Sequence, residues 1–361
     1  MDIALTETQS LLRDAMRDYL QKEVTFDRIR QLEADGGYDR ELWSYLAGSG
    51  FLGLPFPEEL GGGGGELTDL AVLLEELTRR AAVIPFMETM SSAVTVQRHG
   101  TADVSRDMLA GVIAGTTTIA PAVLEAGDSW DQCDATVAGG RLTGVKCFVD
   151  YGQVVTHHLV SAREGAGIGL YLVDADAPEV TTVPLRNIGR TPQANITYAG
   201  APVRAVGGDE SVRFLVACAR SLAAIQCLGN AQQALDMTVE YVAMRVQFGR
   251  PIGTFQAVQH HVANMATMTL ATRFLAYEAV WKLDRGLASV RDIATAKAWA
   301  SKTATETPMM AHQLYGGIGF TEEYDLHFFS RKGKERALAW GTSEEMLGLL
   351  GETIAEVESW L

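Results

Sequence analysis

The sequence predicts an α+β fold in which a small β domain follows one helical domain and precedes another. Three observations support this prediction. Apolar residues recur at helical spacing as far as about residue 117, short β-type runs continue to about residue 206, and long helical patterns return beyond Asp209. We therefore predict a helical domain over residues 1–117, a β domain over 118–206 and a second helical domain over 207–361.

The N-terminal domain shows a recognisable helix start and a glycine-rich connection. Thr6 and Gln9 have the spacing of a capping box at the head of a first helix. The five glycines at 61–65 come before a strongly helical pattern at 67–82. No Lys-Ser/Thr pair follows these glycines and no strand precedes them, so we interpret them as a flexible entry to the helix. A phosphate cradle is the weaker alternative.

The remaining elements follow from the same periodicities. Short β-type runs separated by Gly/Asp-rich turns are predicted at residues 117–123, 135–137, 145–149, 158–162, 169–173 and 195–198. Long helices are predicted at about 211–247, 254–284, 289–316 and 341–360.

Composition argues against several classes of partner. The 361 residues carry a formal net charge of −15, which argues against nucleic acid or an anionic membrane surface. Any anionic ligand would need local basic residues to bind against this overall charge. The first residues lack the basic and apolar regions of an export signal, and no apolar run approaches the length of a membrane span.

The cysteines indicate a reducing environment. They show neither CxxC nor Cys/His metal-ligand spacing, and their flanks are apolar: Cys133, Cys147, Cys218 and Cys227. We expect buried thiols in a cytoplasmic protein and no metal site.

The most informative segment is residues 245–261, which joins two long helical patterns through a Gly-Arg-Pro-Ile-Gly turn. It resembles, almost residue for residue, the signature of the acyl-CoA dehydrogenase family, and the order of helical, β and helical blocks extends the resemblance over the whole chain. The resemblance implies an N-terminal helical domain, a central small β-barrel or sheet domain and a C-terminal four-helix bundle. It also implies FAD as cofactor, an acyl-CoA substrate, α,β-dehydrogenation and a dimer or tetramer.

The family resemblance divides the FAD site into two halves. Members bind FAD across a dimer interface, with the flavin ring on one subunit and the adenine end held by the neighbour. The half donated to the neighbour looks intact here. Arg245, Gln247 and Phe248 match the family's pyrophosphate and adenine contacts, since Arg offers a donor fork for phosphate and Phe a stacking face.

A second match to the donated half is the Gln-Leu-Tyr-Gly-Gly-Ile-Gly-Phe segment at 313–320. By resemblance Gln313 contacts the ADP moiety, and Gly316 and Gly317 allow main-chain N–H groups to approach the phosphates. The alternative is a simple helix end.

The flavin-ring half departs from the family pattern. Members present a Trp-x-Thr strand, and here Phe148 can replace the indole while Asp150 stands at the threonine position. A carboxylate there would repel negative charge on a reduced flavin. The loop at 123–128 keeps little of the family's Thr-Glu-Pro-Gly pattern, and Thr342, in the Gly-Thr-Ser of a C-terminal loop, is a further expected cofactor contact.

The catalytic carboxylate is missing from both positions where the family carries it. The residue before the Gly-Thr-Ser is Trp340, and the alternative position, just before Arg220, is Ala219. Neither side chain accepts a proton, and Trp340 fills volume where an acyl chain passes in the family. We therefore assign no catalytic residue. Carboxylates that could replace the base are more typical of surface or capping residues: Glu322, Glu323, Glu344 and Asp150.

The sequence contains two histidine pairs, of which His260 and His261 are candidate acid–base groups. His260 and His261 follow the signature at helical spacing, where packing or phosphate contact is the favoured role. His157 and His158 begin a predicted strand and have no assigned role.

Four functions fit these observations. The favoured hypothesis is a subunit of a hetero-oligomeric acyl-CoA dehydrogenase that donates its FAD half-site to a homologous catalytic subunit. The sequence resembles the smaller, non-catalytic type of subunit in actinobacterial steroid side-chain dehydrogenases. The alternatives are a self-sufficient homotetramer with a displaced base, a flavin-dependent monooxygenase and a scaffold without flavin.

Overall fold

The structure, a computed structural model, describes residues 4–127 and 133–358. The helices before the first strand are α1 (Glu7–Glu23), α2 (Phe26–Asp35), α3 (Arg40–Gly48), α4 (Leu67–Arg79), α5 (Phe86–His99) and α6 (Ala102–Ile113). The capping box predicted at the first helix is confirmed, because the Thr6 side chain accepts from the Gln9 N–H and the Gln9 side chain accepts from the Thr6 N–H.

The glycine-rich connection before α4 is closely packed rather than flexible, which corrects our prediction. The N–H groups of Gly62, Gly63, Gly64 and Gly65 all donate to backbone carbonyls at 2.8–3.0 Å. A Cβ on Gly62 would lie 2.1 Å from the Phe56 carbonyl oxygen, so a side chain is excluded there. Because these donors are used within the loop, they are not a phosphate cradle.

The β domain contains one mixed sheet. Its strands are β1 (Ile119–Ala122), β2 (Thr136–Ala138), β3 (Arg141–Asp150), β4 (His157–Glu164), β5 (Gly167–Asp174), β6 (Val180–Leu185), β7 (Gln193–Pro202) and β8 (Arg204–Gly207). The strand order is β6-β7-β3-β2-β4-β5-β8, with β1 parallel to β4. All six predicted runs are strands, whereas β6 and β8, at the two ends of this order, were not predicted.

Long helices dominate the C-terminal part. They are α7 (Asp209–Met244), α8 (Gln256–Asp284), α9 (Val290–Tyr315), α10 (Leu326–Leu338) and α11 (Ser343–Glu358). Between α7 and α8 lie the short strands β9 (Val246–Gln247) and β10 (Arg250–Pro251), so the first helix ends three residues before the predicted 247. α10 was not predicted, and residues 359–360 of the last predicted helix lie outside the described residues.

Contacts divide the chain into two compact units, described separately below. The first contains the described residues up to Ile29, then Leu70–Ala82 and the described residues from Arg220 onwards. The second contains Arg30–Asp69 and the described residues of Val83–Ala219. The three-domain division of the sequence, with boundaries at 117/118 and 206/207, stays a prediction.

One helix corrects our reading of the apolar runs. α7 is long and apolar enough to cross a membrane by length and composition alone, contrary to the expectation that no run approached this length. However, 67% of its apolar stretch is buried inside the protein, which is typical of a core helix.

Within the first unit, α9 and α10 approach each other closely at Gly333. A Cβ at this position would lie 2.4 Å from the Ala304 carbonyl oxygen and 2.5 Å from Nδ2 of Asn230. Pro308 in α9 has no N–H, so the Ala304 carbonyl lacks its usual helical hydrogen bond at the point of approach. Glycine is therefore required where the two helices meet.

Candidate functional site

The signature segment forms a tight hairpin that projects an aromatic side chain into solvent. β9 and β10 are antiparallel, with Gln247 opposite Arg250. The two residues between them have positive φ, 53° at Phe248 and 80° at Gly249, as in the two-residue turns that connect hairpins. Phe248 is 94% exposed, and Arg245 and Gln247 are exposed beside it.

Phe248 has an aromatic neighbour within the hairpin. Its ring packs edge-on against Phe255 at 6.1 Å between centroids, and the guanidinium carbon of Arg250 lies 4.2 Å above the Phe255 ring. The Ile252 N–H donates to the Arg245 carbonyl at 2.8 Å, which closes the base of the hairpin. The exposed ring thus has one aromatic neighbour, Phe255, and Arg250 covers the ring of that neighbour.

The second predicted segment is the glycine-rich turn that follows α9. Gly316 ends the helix at φ 65° and ψ −148°, a conformation essentially restricted to glycine. At Gly319 a Cβ would lie 2.8 Å from the Tyr315 side chain, whereas a Cβ at Gly317 would meet open space. The fold therefore explains Gly316 and Gly319 but not Gly317, where an exposed backbone leaves room for a ligand. Gln313 is exposed one turn earlier.

Three tyrosines tie these two segments to the same part of the first unit. Tyr241, near the end of α7, stacks on Tyr315 at 4.0 Å between ring centroids, and Tyr324 packs against Tyr315 at 5.1 Å. The Tyr315 hydroxyl donates to the Met237 carbonyl at 2.7 Å. Burial and the neighbouring Tyr324 raise the pKa of Tyr315 well above its usual value, so it stays a neutral donor. The hairpin and the glycine-rich turn thus follow helix ends that are joined by one aromatic cluster.

The predicted flavin-ring residues lie in the second unit, on β3. The pairing of β3 with β7 is irregular between Lys146 and Val149, and Phe148 within this bulge has φ 54° and is 56% exposed. Its N–H donates to Oδ1 of Asn195 at 3.1 Å. Bulges of this kind re-aim a side chain, and they are common beside functional sites. The Asp150 carboxylate accepts from the Gln193 amide at 2.7 Å.

A buried ion pair beneath this strand was missed by the sequence analysis. Lys146 is fully buried, and its Nζ lies 2.5 Å from Oε1 of Glu125 and 3.0 Å from Oγ of Ser161. Although burial raises the pKa of Glu125, hydrogen bonds from Lys146 and from two backbone N–H groups hold it below its usual value. The loop at 123–127 is therefore anchored through Glu125, while Asp128 lies outside the described residues.

The C-terminal loop places Trp340 in a strained position. Trp340 is buried with φ 61°, and Gly341 follows it with φ 109°. The Trp340 carbonyl accepts from Nε of Arg220 at 3.0 Å. The Thr342 hydroxyl accepts from the Glu345 N–H at 3.2 Å, so this predicted cofactor contact also caps α11.

No carboxylate side chain belongs to either expected base position, since these are Trp340 and the buried Ala219. Glu322, Glu323 and Glu344 are exposed. The carboxylates that sequence reasoning missed are buried ones held by cations. Glu75 accepts from Arg273 at 2.7 Å through both oxygens, Glu76 accepts from Arg17, and Glu125 pairs with Lys146. Glu88, in α5, is also buried.

The histidine pairs differ in environment. His260 is exposed and His261 is half-buried, so their proposed packing or phosphate role remains a prediction. His158 is buried, and its Nε2 donates to the Gly152 carbonyl at 2.8 Å. Burial lowers the pKa of His158 to about 4, so it is neutral at physiological pH.

Three aromatic residues that the sequence analysis identifies have a strained backbone conformation. Six non-glycine residues in the described part of the chain have positive φ, and Phe148, Phe248 and Trp340 are three of them. Such conformations cost about 1–3 kcal/mol each and persist where the surroundings over-determine them, often at functional sites. This observation is independent of the motifs from which the three residues were chosen.

Comparison with known proteins identifies the family. The chain matches the models "Acyl-CoA dehydrogenase, N-terminal domain" at residues 6–116 and "Acyl-CoA dehydrogenase, C-terminal domain" at residues 212–355. It is 30% identical to acyl-CoA dehydrogenase FadE27 of Mycobacterium tuberculosis, with 99% of each chain covered.

Solved structures agree over the whole chain. A variant of the steroid ACAD Tcur3481–Tcur3483 has a TM-score of 0.93 at 35% identity, covering 98% of this chain and 99% of its own. The ChsE4–ChsE5 complex from Mycobacterium tuberculosis has a TM-score of 0.93 at 28% identity, covering 99% of each chain. Butyryl-CoA dehydrogenase from Megasphaera elsdenii has a TM-score of 0.91 at 27% identity, covering 98% and 100%.

These matches define a flavoprotein oxidoreductase with the fold predicted from the sequence: N-terminal helices, a central β-sheet domain and a C-terminal helical domain. The chain belongs to the acyl-CoA dehydrogenase family. Members of this family use FAD.

Proposed function

We propose that this chain is the subunit of a hetero-oligomeric acyl-CoA dehydrogenase that donates the ADP half of the FAD site to a homologous catalytic subunit. One contrast carries the proposal. The ADP-binding segments are exposed and held in position, whereas the base position is occupied by Trp340, whose indole cannot accept a proton. If the chain had simply lost its FAD site, both the ADP-binding half and the catalytic half would be expected to have changed.

The residues of the donated half suit the charge and shape of an ADP group. Arg245 and Gln247 offer donors to pyrophosphate oxygens beside the Phe248 ring, which offers a stacking face to adenine. Gln313 would contact the same moiety, and the unobstructed backbone of Gly317, beside Gly316, would admit a phosphate. When bound, FAD supplies the hydride acceptor of the reaction.

The ring half fits FAD less well in this chain. Phe148 is exposed on its bulge and offers an aromatic wall, but Asp150 brings negative charge where a reduced flavin gains it. We therefore assign the ring, the catalytic carboxylate and proton abstraction to the partner subunit. The backbone N–H of Phe148, which already donates to Asn195, is not available to the flavin.

The substrate class is inferred from similar proteins. The Tcur3481–Tcur3483 structure is described as a steroid ACAD and aligns over 98% of this chain, and the ChsE4–ChsE5 complex pairs two differently named chains. We propose that the mixed complex dehydrogenates a steroid acyl-CoA thioester in the cytoplasm. The free state of all four cysteines supports that compartment.

The visible spectrum of the purified protein tests this proposal. We expect the chain to be colourless alone and to acquire a bound-flavin spectrum when co-purified with a homologous chain that carries the catalytic glutamate. A yellow lone protein with one FAD per chain that reduces an electron acceptor with an acyl-CoA would contradict the proposal. Rapid NADPH-linked oxygen uptake would favour the monooxygenase, and a mixed complex without flavin would favour the scaffold.

A self-sufficient homotetramer with a displaced base is the second candidate, because Glu88 is a buried carboxylate of the second unit. If the lone chain proves active, Glu88→Gln identifies whether this carboxylate is the base. Abolished turnover with unchanged FAD content would assign the base to Glu88, and unchanged turnover would exclude it.

A further inference from the structure

A fully buried lysine, Lys297 in α9, connects three parts of the first unit. Its Nζ donates to Oγ of Ser301 at 2.6 Å and to the Gly341 carbonyl at 2.9 Å. It also lies 3.3 Å from the carbonyl oxygens of Arg336 and Ala337, in the last turn of α10. Carbonyls in a last turn lack helical partners and favour a nearby cation. One ammonium group therefore joins α9, the end of α10 and the turn at Gly341.

The turn that Lys297 contacts is strained. Trp340 and Gly341 both have positive φ, and a Cβ on Gly341 would lie 2.6 Å from the Met346 side chain. Arg220 donates to the Trp340 carbonyl and Lys297 donates to the next carbonyl, that of Gly341. Two cations thus fix successive carbonyls of a backbone conformation that a tryptophan rarely adopts.

Burying the ammonium group of Lys297 lowers the stability of the fold, so the presence of this residue needs an explanation. Each of the four acceptors around its Nζ is uncharged, and removing an ammonium group from water costs several kcal/mol. A methionine would fill similar space without that cost. Retention of a buried charge is explained if the charge selects one backbone conformation over others, as buried polar groups do in some proteins.

We infer that Lys297 is a positioning residue that holds the loop at 337–342, and thereby fixes the places of Trp340 and Thr342. The consequence for the cofactor rests on the proposed function, in which Thr342 contacts FAD. The consequence for Trp340 does not, because it concerns the lone chain. The two consequences can therefore be tested separately.

The first test uses the fluorescence of Trp340 in the lone chain. Acrylamide quenching is measured for each variant and for the same variant with Trp340→Phe, and the difference isolates Trp340. In Lys297→Met we expect the quenching constant of Trp340 to rise roughly twofold or more, because loss of the anchor allows local opening of the loop. An unchanged constant in a folded Lys297→Met protein would overturn the inference.

Two further variants control this test. Lys334→Met removes an exposed lysine from α10, and the quenching of Trp340 should not change. Should Lys297→Met fail to fold, Ser301→Ala removes the shortest of the four contacts and should produce a smaller rise in quenching. No rise in a folded Ser301→Ala protein would then count against the inference.

The second test measures FAD retention by the mixed complex. We expect Lys297→Met to weaken retention by roughly 5- to 10-fold, the effect of about one hydrogen bond. If Trp340 becomes accessible while FAD retention is unchanged, Lys297 still positions the loop, and the assignment of Thr342 as a cofactor contact is wrong.

Discussion

Two single side chains, Phe248 and Trp340, differ in the way that the proposed function requires. Phe248 is almost fully exposed, yet its ring packs edge-on against Phe255 on a hairpin that is closed by a backbone hydrogen bond, so its backbone is ordered without a bound partner. Such preorganisation lowers the entropy lost on binding. Trp340 shows the opposite relation, because it is buried and its strained backbone is held by Arg220. Under the proposed function, the first residue contacts the cofactor of another subunit, and the second occupies the position of the catalytic carboxylate.

The role of Arg245 leads to a prediction about cofactor binding. Arg245→Ala should weaken FAD retention by the mixed complex about 10- to 100-fold, since a charge-assisted phosphate contact contributes about 1.5–3 kcal/mol. Flavin release during gel filtration measures this effect. Arg245→Lys keeps the charge but loses the donor fork, so an intermediate loss is expected.

Arg291→Ala provides the matched control, because Arg291 is an exposed arginine at the start of α9. It should leave FAD retention unchanged. Equal retention in Arg245→Ala and Arg291→Ala would remove Arg245 from the proposed half-site.

Restoring a carboxylate at the base position should not restore catalysis in the lone chain. In Trp340→Glu the proton acceptor would be present, but the flavin-ring half would still carry Asp150 in place of the family's threonine. Anaerobic dye reduction with an acyl-CoA measures turnover, with the unsubstituted chain as control. A clear gain of activity in the lone variant would mean that this chain binds the flavin ring itself.

At the scale of elements, the sequence predicts those helices and strands whose apolar residues recur with a clear period. The six predicted β runs are strands, and the two missed strands are those at the ends of the sheet order. β6 has only exposed and half-buried residues and contains Pro184, and β8 has four residues, so neither gives a strong alternating pattern. α10 was missed because it contains several charged residues and Gly333 in its interior.

The candidate site was predictable where a motif is contiguous in sequence. The hairpin and the glycine-rich turn were both identified from short strings of residues. The pairing of Glu125 with Lys146 joins residues 21 positions apart on different elements, and the contacts of Lys297 with the carbonyls of Ala337 and Gly341 span 40 and 44 positions. Interactions of this kind depend on tertiary packing, which local sequence patterns do not encode.

The close approach of α9 and α10 gives a prediction of stability. Gly333→Ala should lower the free energy of unfolding by about 1–3 kcal/mol, because its Cβ would overlap backbone and amide atoms that have little room to move. Urea denaturation measures the change. In Gly348→Ala, on α11, the added methyl group meets open space, and a small increase in stability is expected. If Gly333→Ala leaves the free energy of unfolding unchanged, α9 and α10 can move apart without loss of stability.

At the scale of the whole molecule, one buried histidine makes the free energy of unfolding depend on pH. His158 is buried and neutral, with a folded pKa of about 4 against 6.5 for an unperturbed histidine. Below pH 6.5 the unfolded chain therefore binds a proton at this histidine, whereas the folded chain does not bind one until the pH falls to about 4. The stability that this group contributes is complete above pH 6.5 and is lost as the pH falls through that interval, by about 3 kcal/mol.

The pH dependence can be assigned to this residue by substitution. Urea denaturation of His158→Gln should show a shallower loss of unfolding free energy between pH 6.5 and 4 than the unsubstituted protein. His260→Gln, which alters an exposed histidine, should follow the unsubstituted curve. Parallel curves for His158→Gln and the unsubstituted protein would contradict the assignment.

The exposed ring at the tip of the hairpin also affects how the protein must be made. If the chain has the partner that we propose, a copy synthesised alone leaves the Phe248 ring, which is 94% exposed, open to contact with other copies. Overproduction of this polypeptide by itself should therefore yield more inclusion bodies than co-expression with the partner. Phe248→Ser should improve the soluble yield of the isolated chain and, under the proposed function, weaken FAD retention by the mixed complex.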